Sequence, residues 1–214
     1  MTAELARVST VDALAGALRA RILDGDLAPG ARLPELELTA AYGVARHSAR
    51  AALRTLAGEG LVTLEPNRGA RVARLEAAQV LGLYELRTAL ELEAAHLALE
   101  RHGGRLPAGV REAVKRLEAL CGRKKPAWGA IVDVHNEVHS ALVRAAGSER
   151  IERAYAALSG ELRVFLMQLK PHWTLTRMAS DHVRLIDDLE RAGPPALREH
   201  LEASARAVAG SETS

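Results

Sequence analysis

Aromatic residues are scarce in this 214-residue chain, at 3%: one Phe, three Tyr and two Trp. Ala, Leu, Arg and Glu dominate instead, and these side chains lose little freedom in a helix. There is one cysteine, Cys121, so no internal disulfide can form and a cytoplasmic location is expected. No apolar run approaches the roughly 18 residues needed to span a bilayer, so no membrane partner is expected. Met1 to Val8 carries Glu4 and Arg7 without an apolar centre, unlike a signal peptide. No G-x-S-x-G, Walker loop or cysteine cluster is present, which speaks against an enzyme.

What is present is ordinary for a soluble globular protein: 48% hydrophobic and 26% charged residues. The length suffices for one large domain or two small ones. The net charge of +2 is distributed unevenly. Residues 1–75 hold 10 Lys/Arg against 8 Asp/Glu, and the remainder is balanced. No acid lies between Glu37 and Glu59, where Arg46, Arg50 and Arg54 stand. Between Glu65 and Glu76 the charges are Arg68, Arg71 and Arg74. Two acid-free basic stretches in the smaller half suggest a polyanion partner.

Hydrophobic periodicity predicts a first helix over about 10–24, with Val11, Leu14, Ala15, Leu18 and Ile22 inward and Ser9 or Thr10 as cap. A short second helix follows Pro34, burying Leu36 or Leu38 and Tyr42, and Gly43 marks a tight turn. A third helix runs from about Arg46 to Ala57. Val62–Leu64 and Ala70–Val72 read as short strands around the turn Pro66-Asn67-Arg68-Gly69. Beyond Leu75 the pattern is helical over about 77–102, 109–122, 127–146, 148–169, 174–192 and 195–209. The expected fold is mainly α: a winged helix-turn-helix at residues 1–75 and an antiparallel helical bundle at 76–214.

In a helix-turn-helix the second helix enters the major groove, where each base pair shows a distinct donor and acceptor pattern. Arg46 and Arg50 lie four apart at the start of that helix, with His47 and Ser48 nearby. Arginine can fork onto guanine O6 and N7 or pair with phosphate. Arg54 lies further out, toward phosphate or solvent. The turn residues Asn67, Arg68 and Gly69 can reach an adjacent minor groove. Spacing alone also allows a solvated three-helix module with exposed arginines.

Val11 to Val72 resembles the DNA-binding domain of the GntR family. The similarity is carried by Leu27-Ala28-Pro29-Gly30-Ala31-Arg32-Leu33 and by Tyr42-Gly43-Val44-Ala45-Arg46-His47-Ser48-Ala49-Arg50-Ala51-Ala52-Leu53. It continues through Glu59-Gly60-Leu61-Val62 and Pro66-Asn67-Arg68-Gly69-Ala70. The resemblance implies operator contacts at Arg32, Arg46, Arg50 and Gly69. Ala45 stands where the family usually has a capping serine, and Ala51 where it often has glutamate.

In the second half, His135 and His139 are four apart on one helix and so share a face. His182 opens another helix and His200 lies on the last. Neutral imidazole is a common metal ligand, and histidines from several helices can converge inside a bundle. Such a pair also arises by chance, and spacing alone leaves both readings open. His47, His96, His102 and His172 read as surface or DNA-facing. His135-Asn136-Glu137-Val138-His139 is not H-E-x-x-H, because its glutamate follows the first histidine by two. A metal-dependent hydrolase is therefore a remote alternative.

Tyr84-Glu85-Leu86-Arg87 with Glu91, and Val138-His139-Ser140-Ala141-Leu142 with Ala145-Ala146-Gly147-Ser148, resemble the FCD domain of the FadR subfamily. The resemblance implies metal ligands at His135, His139, His182 and His200, with His135 where the family has aspartate. The span from His182 to His200 is about one helical turn shorter than usual, a change that keeps helical phase. An all-imidazole set suits zinc or nickel among the divalent transition metals. At the ordinary histidine value, protons compete with metal below about pH 6.5. Asp133 is a candidate support for the ligands. The resemblance also implies a carboxylate effector at the metal, assisted by Arg87 or Arg163, and a homodimer contact through the helix starting near Glu76. The alternative for Arg87 is a helix-surface ion pair with Glu91. Together these features describe a repressor binding double-stranded operator DNA under control of an organic acid. The competing picture keeps the DNA-binding head but makes the helical half metal-free, binding its ligand directly or serving only in dimerisation.

Overall fold

The computed structural model describes residues 9–65, 69–170 and 173–209, with side chains through 206. The chain divides into two compact units, one ending at Arg74 and the other beginning at Leu75.

The first unit contains α1 (Thr10–Asp24), α2 (Glu35–Tyr42), α3 (Arg46–Gly58), β1 (Val62–Glu65) and β2 (Gly69–Val72). Ser9 caps α1, its hydroxyl accepting from the Asp12 amide, and Gly25 ends the helix at φ 88°. Leu14, Ala15, Leu18 and Ile22 are buried against α3, where Ala49, Ala52, Leu53 and Leu56 face inward. Of the two candidates on α2, Leu38 is buried while Leu36 is 64% exposed. Tyr42 is half-buried, and its hydroxyl accepts from Arg21. Gly43, at φ 62°, turns the chain from α2 into α3, a conformation that would strain a side chain with a Cβ. The hairpin pairs Val62 with Val72 and Glu65 with Gly69, and Arg32 bridges to Arg71 alongside it.

Ala45 occupies the N-cap of α3 in an extended conformation and supplies no side-chain bond. A serine hydroxyl there can accept from an amide of the first turn. Ala45→Ser is therefore expected to stabilise the unit by about 1 kcal/mol, measured as a raised urea midpoint at unchanged slope.

The second unit contains α4 (Ala77–Arg101), α5 (Ala108–Cys121), α6 (Trp128–Ala145), α7 (Glu149–Ala156), α8 (Ser159–Leu169), α9 (Leu175–Ala192) and α10 (Pro195–Ala209). α6 packs against α4, α5, α7 and α8, while α9 packs on α5 and α10, and α10 also on α4. Two helices, α7 and α8, replace the single one expected over 148–169. The break falls at Ala157-Leu158, where the Leu158 amide bonds back to Tyr155. Ser159 and Gly160, both weaker helix formers than Ala or Leu, follow directly and open α8. α7 packs on α4 and α6, and α8 on α6 and α10. The two halves thus serve different partners, and the break combines that packing with the local weakness at Ser159-Gly160. Among the described residues no helix is long and apolar enough to cross a membrane.

Candidate metal centre and nucleic-acid interface

Three helices bring four histidines together in the second unit. α6 places His135 and His139 on its inward face, α9 supplies His182 and α10 supplies His200. His135, His139 and His182 are 3%, 1% and 0% exposed and so are shielded from bulk solvent. Their ring centroids stand 5.0 Å apart (His135–His139), 4.6 Å (His135–His182) and 5.3 Å (His139–His182). One ligand atom from each of the three lies within 4.8 Å of the other two. His200 is half-buried and packs its ring against His182 at 4.7 Å and His139 at 5.7 Å. It lies outside the converging trio and lines a cleft of about 240 Å³ with Trp173, Arg177, Asp181, Arg184 and Glu199.

The hydrogen bonds assign the tautomers. His139 Nδ1–H donates to Glu91 Oε2 at 2.8 Å, and His182 Nδ1–H donates to the Met178 carbonyl at 2.7 Å. Each Nε2 therefore presents a lone pair, and the two Nε2 atoms face each other at 3.3 Å. His135 Nδ1 is buried with no protein partner. Burial holds all four imidazoles below their ordinary value, helped by neighbouring imidazoles and the Arg87 charge, and His182 lies at about 4. Neutral imidazoles with facing lone pairs are the form that ligates metal. Zinc–nitrogen bonds are about 2.0–2.1 Å long, so two nitrogens at the observed separation fit one shared ion. The donor set fits a divalent transition metal.

On α3 of the first unit, Arg46, His47, Arg50 and Arg54 are exposed, whereas Ser48 is buried at 7%. Arg32 and Gly69 are also exposed, Gly69 at φ 86°. Asn67 and Arg68 lie outside the described residues. Arg50 is engaged in a two-point ion pair with Glu35, the first residue of α2.

Residues 10–72 match the family profile "Bacterial regulatory proteins, gntR family", and residues 82–207 match the FCD domain. The chain belongs to the GntR family, with an FCD domain. A Streptomyces ambofaciens relative, "Uncharacterized HTH-type transcriptional regulator in unstable DNA locus", is 30% identical over 89% of this chain and 80% of its own length. A "Probable D-xylose utilization operon transcriptional repressor" from Paenarthrobacter nicotinovorans is 32% identical over 84% of this chain and 77% of its own. A solved chain from Rhodococcus sp. RHA1, described as a "putative transcriptional regulator GntR", superposes with a TM-score of 0.71. It is 26% identical, covering 94% of this chain and 97% of that one. The relatives of this GntR protein are transcriptional regulators rather than enzymes.

Within the FCD domain, Arg87 departs from the surface ion pair considered for it: it is 2% exposed. Its Nε donates to Glu91 Oε1 at 2.6 Å and its Nη1 to the Tyr84 hydroxyl at 3.0 Å. The Tyr155 hydroxyl donates to the same Glu91 oxygen at 2.8 Å. Glu91 thus joins Arg87, Tyr155 and His139, a role the sequence only hinted at through its i+4 spacing from Arg87. Asp133 does not support the histidines. It is 53% exposed and pairs with Arg163 at 3.0 Å, so Arg163 is engaged at the surface. Trp128 opens α6, and Trp173 precedes α9 and lines the cleft beside His200. Both indole Nε1 atoms are buried without a protein partner.

Proposed function

We propose that this GntR-family chain is a homodimeric, cytoplasmic repressor of an operator-bearing gene set, with DNA affinity tuned by an organic acid at a metal in the FCD domain. The observation that carries the metal assignment is the pair of facing Nε2 lone pairs beside the unpartnered His135 Nδ1. His135, His139 and His182 would hold the ion, with His200 as the outer donor, and zinc or nickel suits the all-nitrogen set. Bound there, the metal supplies a Lewis-acidic anchor for a carboxylate. Glu91 and the Met178 carbonyl fix the ring orientation of His139 and His182 before any ligand arrives. Arg87 acts through Glu91, since both Glu91 and Tyr84 engage its guanidinium. Effector binding would favour one arrangement of the dimer's two reading heads, which is a shift of population.

Arg32, Arg46, His47, Arg50 and Gly69 supply the exposed groups for operator contact, and a two-fold operator calls for two such heads. The relative named "Probable D-xylose utilization operon transcriptional repressor" supports the direction of regulation. Arg50→Ala is expected to cost about 1–3 kcal/mol of operator binding and to relax discrimination at one base pair per half-site. Gel shifts at matched salt, on a duplex selected by the protein and on a scrambled one, test this. Equal affinity of the unmodified protein for both would end the operator reading. Elemental analysis of tag-free protein, with sedimentation of the same sample, tests the metal and the dimer.

A further inference from the structure

Glu35 opens α2, yet its carboxylate reaches the arginine-bearing side of α3. Arg50 Nε donates to Oε1 at 2.9 Å, and Arg50 Nη2 donates to Oε2 at 2.9 Å. Both side chains stay open to solvent, at 57% for Arg50 and 33% for Glu35. The bonds from Arg50, with the nearby charges of Arg46 and Arg54, hold the Glu35 carboxyl below its ordinary value, so it stays ionised at neutral pH. Glu35 also lines a groove with Arg50, Arg54, Leu64 and Gly69, where the third helix meets the hairpin.

A guanidinium carries five N–H groups in one plane. Glu35 occupies its side edge, Nε–H and one Nη2–H. The end edge, Nη1–H and the second Nη2–H, is unused by this pair, and its two parallel N–H groups can fork onto guanine O6 and N7. An arginine held along its side edge cannot swing freely between base and phosphate. The same carboxylate repels phosphate wherever its guanine partner is missing.

We propose that Glu35 is a specificity-determining residue of the DNA-reading head. It clamps the side edge of Arg50, aims the end edge at a guanine and withholds Arg50 from phosphates. The proposal rests on the reading of Arg50 as a base contact and adds a residue that touches no base itself. It implies that Glu35 lowers non-specific affinity while raising discrimination, as a built-in repulsion does.

The test uses the full-length protein, a duplex that it selects from a random pool, and a scrambled duplex of equal length. Glu35→Gln, which keeps the shape and loses the charge, is expected to lower the selected-to-scrambled affinity ratio about tenfold. Binding to the scrambled duplex should hold or tighten, and its salt slope should steepen by about one as Arg50 turns to phosphate. Glu35→Ala should lose at least as much discrimination. In an Arg50→Ala background, Glu35→Gln should leave the ratio unchanged. An Arg50→Ala variant with undiminished discrimination overturns both the base-contact reading and the proposal. If Arg50→Ala lowers discrimination but Glu35→Gln tightens both duplexes equally, Glu35 only competes for Arg50, and the proposal alone falls. Weakening on both duplexes together with a lowered thermal midpoint also overturns it, because Glu35 would then be a structural support.

Discussion

Glu91→Ala is expected to destabilise the helical unit by about 3–5 kcal/mol, the cost of breaking a buried ion pair from one side. The Arg87 guanidinium, 2% exposed, would keep its charge without a counterion. Tyr155 and His139 Nδ1 would each lose their acceptor at the same time. Urea unfolding followed by circular dichroism measures the loss. The double variant Arg87→Met, Glu91→Leu should recover much of that stability, since an apolar pair of similar volume can replace a buried ion pair. It should not recover metal affinity, because His139 remains unoriented; losing such a support typically costs about 10–100-fold in metal binding. A double variant that binds metal as tightly as the unmodified chain would separate Glu91 from the histidines.

His139→Ala is expected to abolish metal occupancy, while His96→Ala leaves it intact. With free metal at about 1,000 times Kd, the unmodified protein should gain about 4 kcal/mol and the His139 variant nothing. Elemental analysis and thermal melts with added zinc or nickel read both effects. Stoichiometric metal in the variant, or no metal and no metal-induced stabilisation in the parent, would refute the site.

The pH response follows from burial. The four imidazoles sit below their unfolded value of about 6.5, His182 at about 4. Between those values the unfolded chain binds more protons than the folded one. Metal-free stability should therefore fall as pH drops from about 6.5 toward about 4, at about 1.4 kcal/mol per unit for each histidine. Proton competition with metal should begin lower than the ordinary histidine value implies, since the folded pocket resists protonation. Melts with and without metal should therefore fall in parallel across this range and converge only where the folded histidines take up protons and release the metal.

The reading head was legible because its punctuation is local. Gly25 and Gly43 stop helices through their own backbone conformation, and Leu14, Leu18 and Ile22 recur on one face. The convergence of His135, His139 and His182 was also foreshadowed, since i and i+4 share a face and family resemblance pointed to the later helices. What stayed hidden were pairings across elements. Glu91 meets His139 across 48 residues, and Glu35 meets Arg50 across 15; periodicity along one helix carries no information about either. For Arg87 the sequence offers an effector contact or a surface ion pair with Glu91, and only the packing of α4 against its neighbours shows that the pair with Glu91 is buried. Ser48 lies in the first turn of an arginine-rich helix but faces the core. The α7–α8 break depends in part on which helices lie beside each half, and its local signal, Ser159-Gly160, sits inside a run whose periodicity reads as one helix.

The two tryptophans are 7% and 6% exposed and both belong to the helical unit, Trp128 as the first residue of α6 and Trp173 just ahead of α9. The reading head has none. The intrinsic ultraviolet emission of this protein is therefore a one-sided optical reporter. Its spectrum is set by two sheltered indoles, near Lys170 and Arg177, that lack hydrogen-bonded protein partners. A ligand that enters the bundle can quench or shift that light directly. Duplex DNA held by the reading head meets no indole there, so a change in that light on adding duplex would report a response of the helical unit without any attached dye.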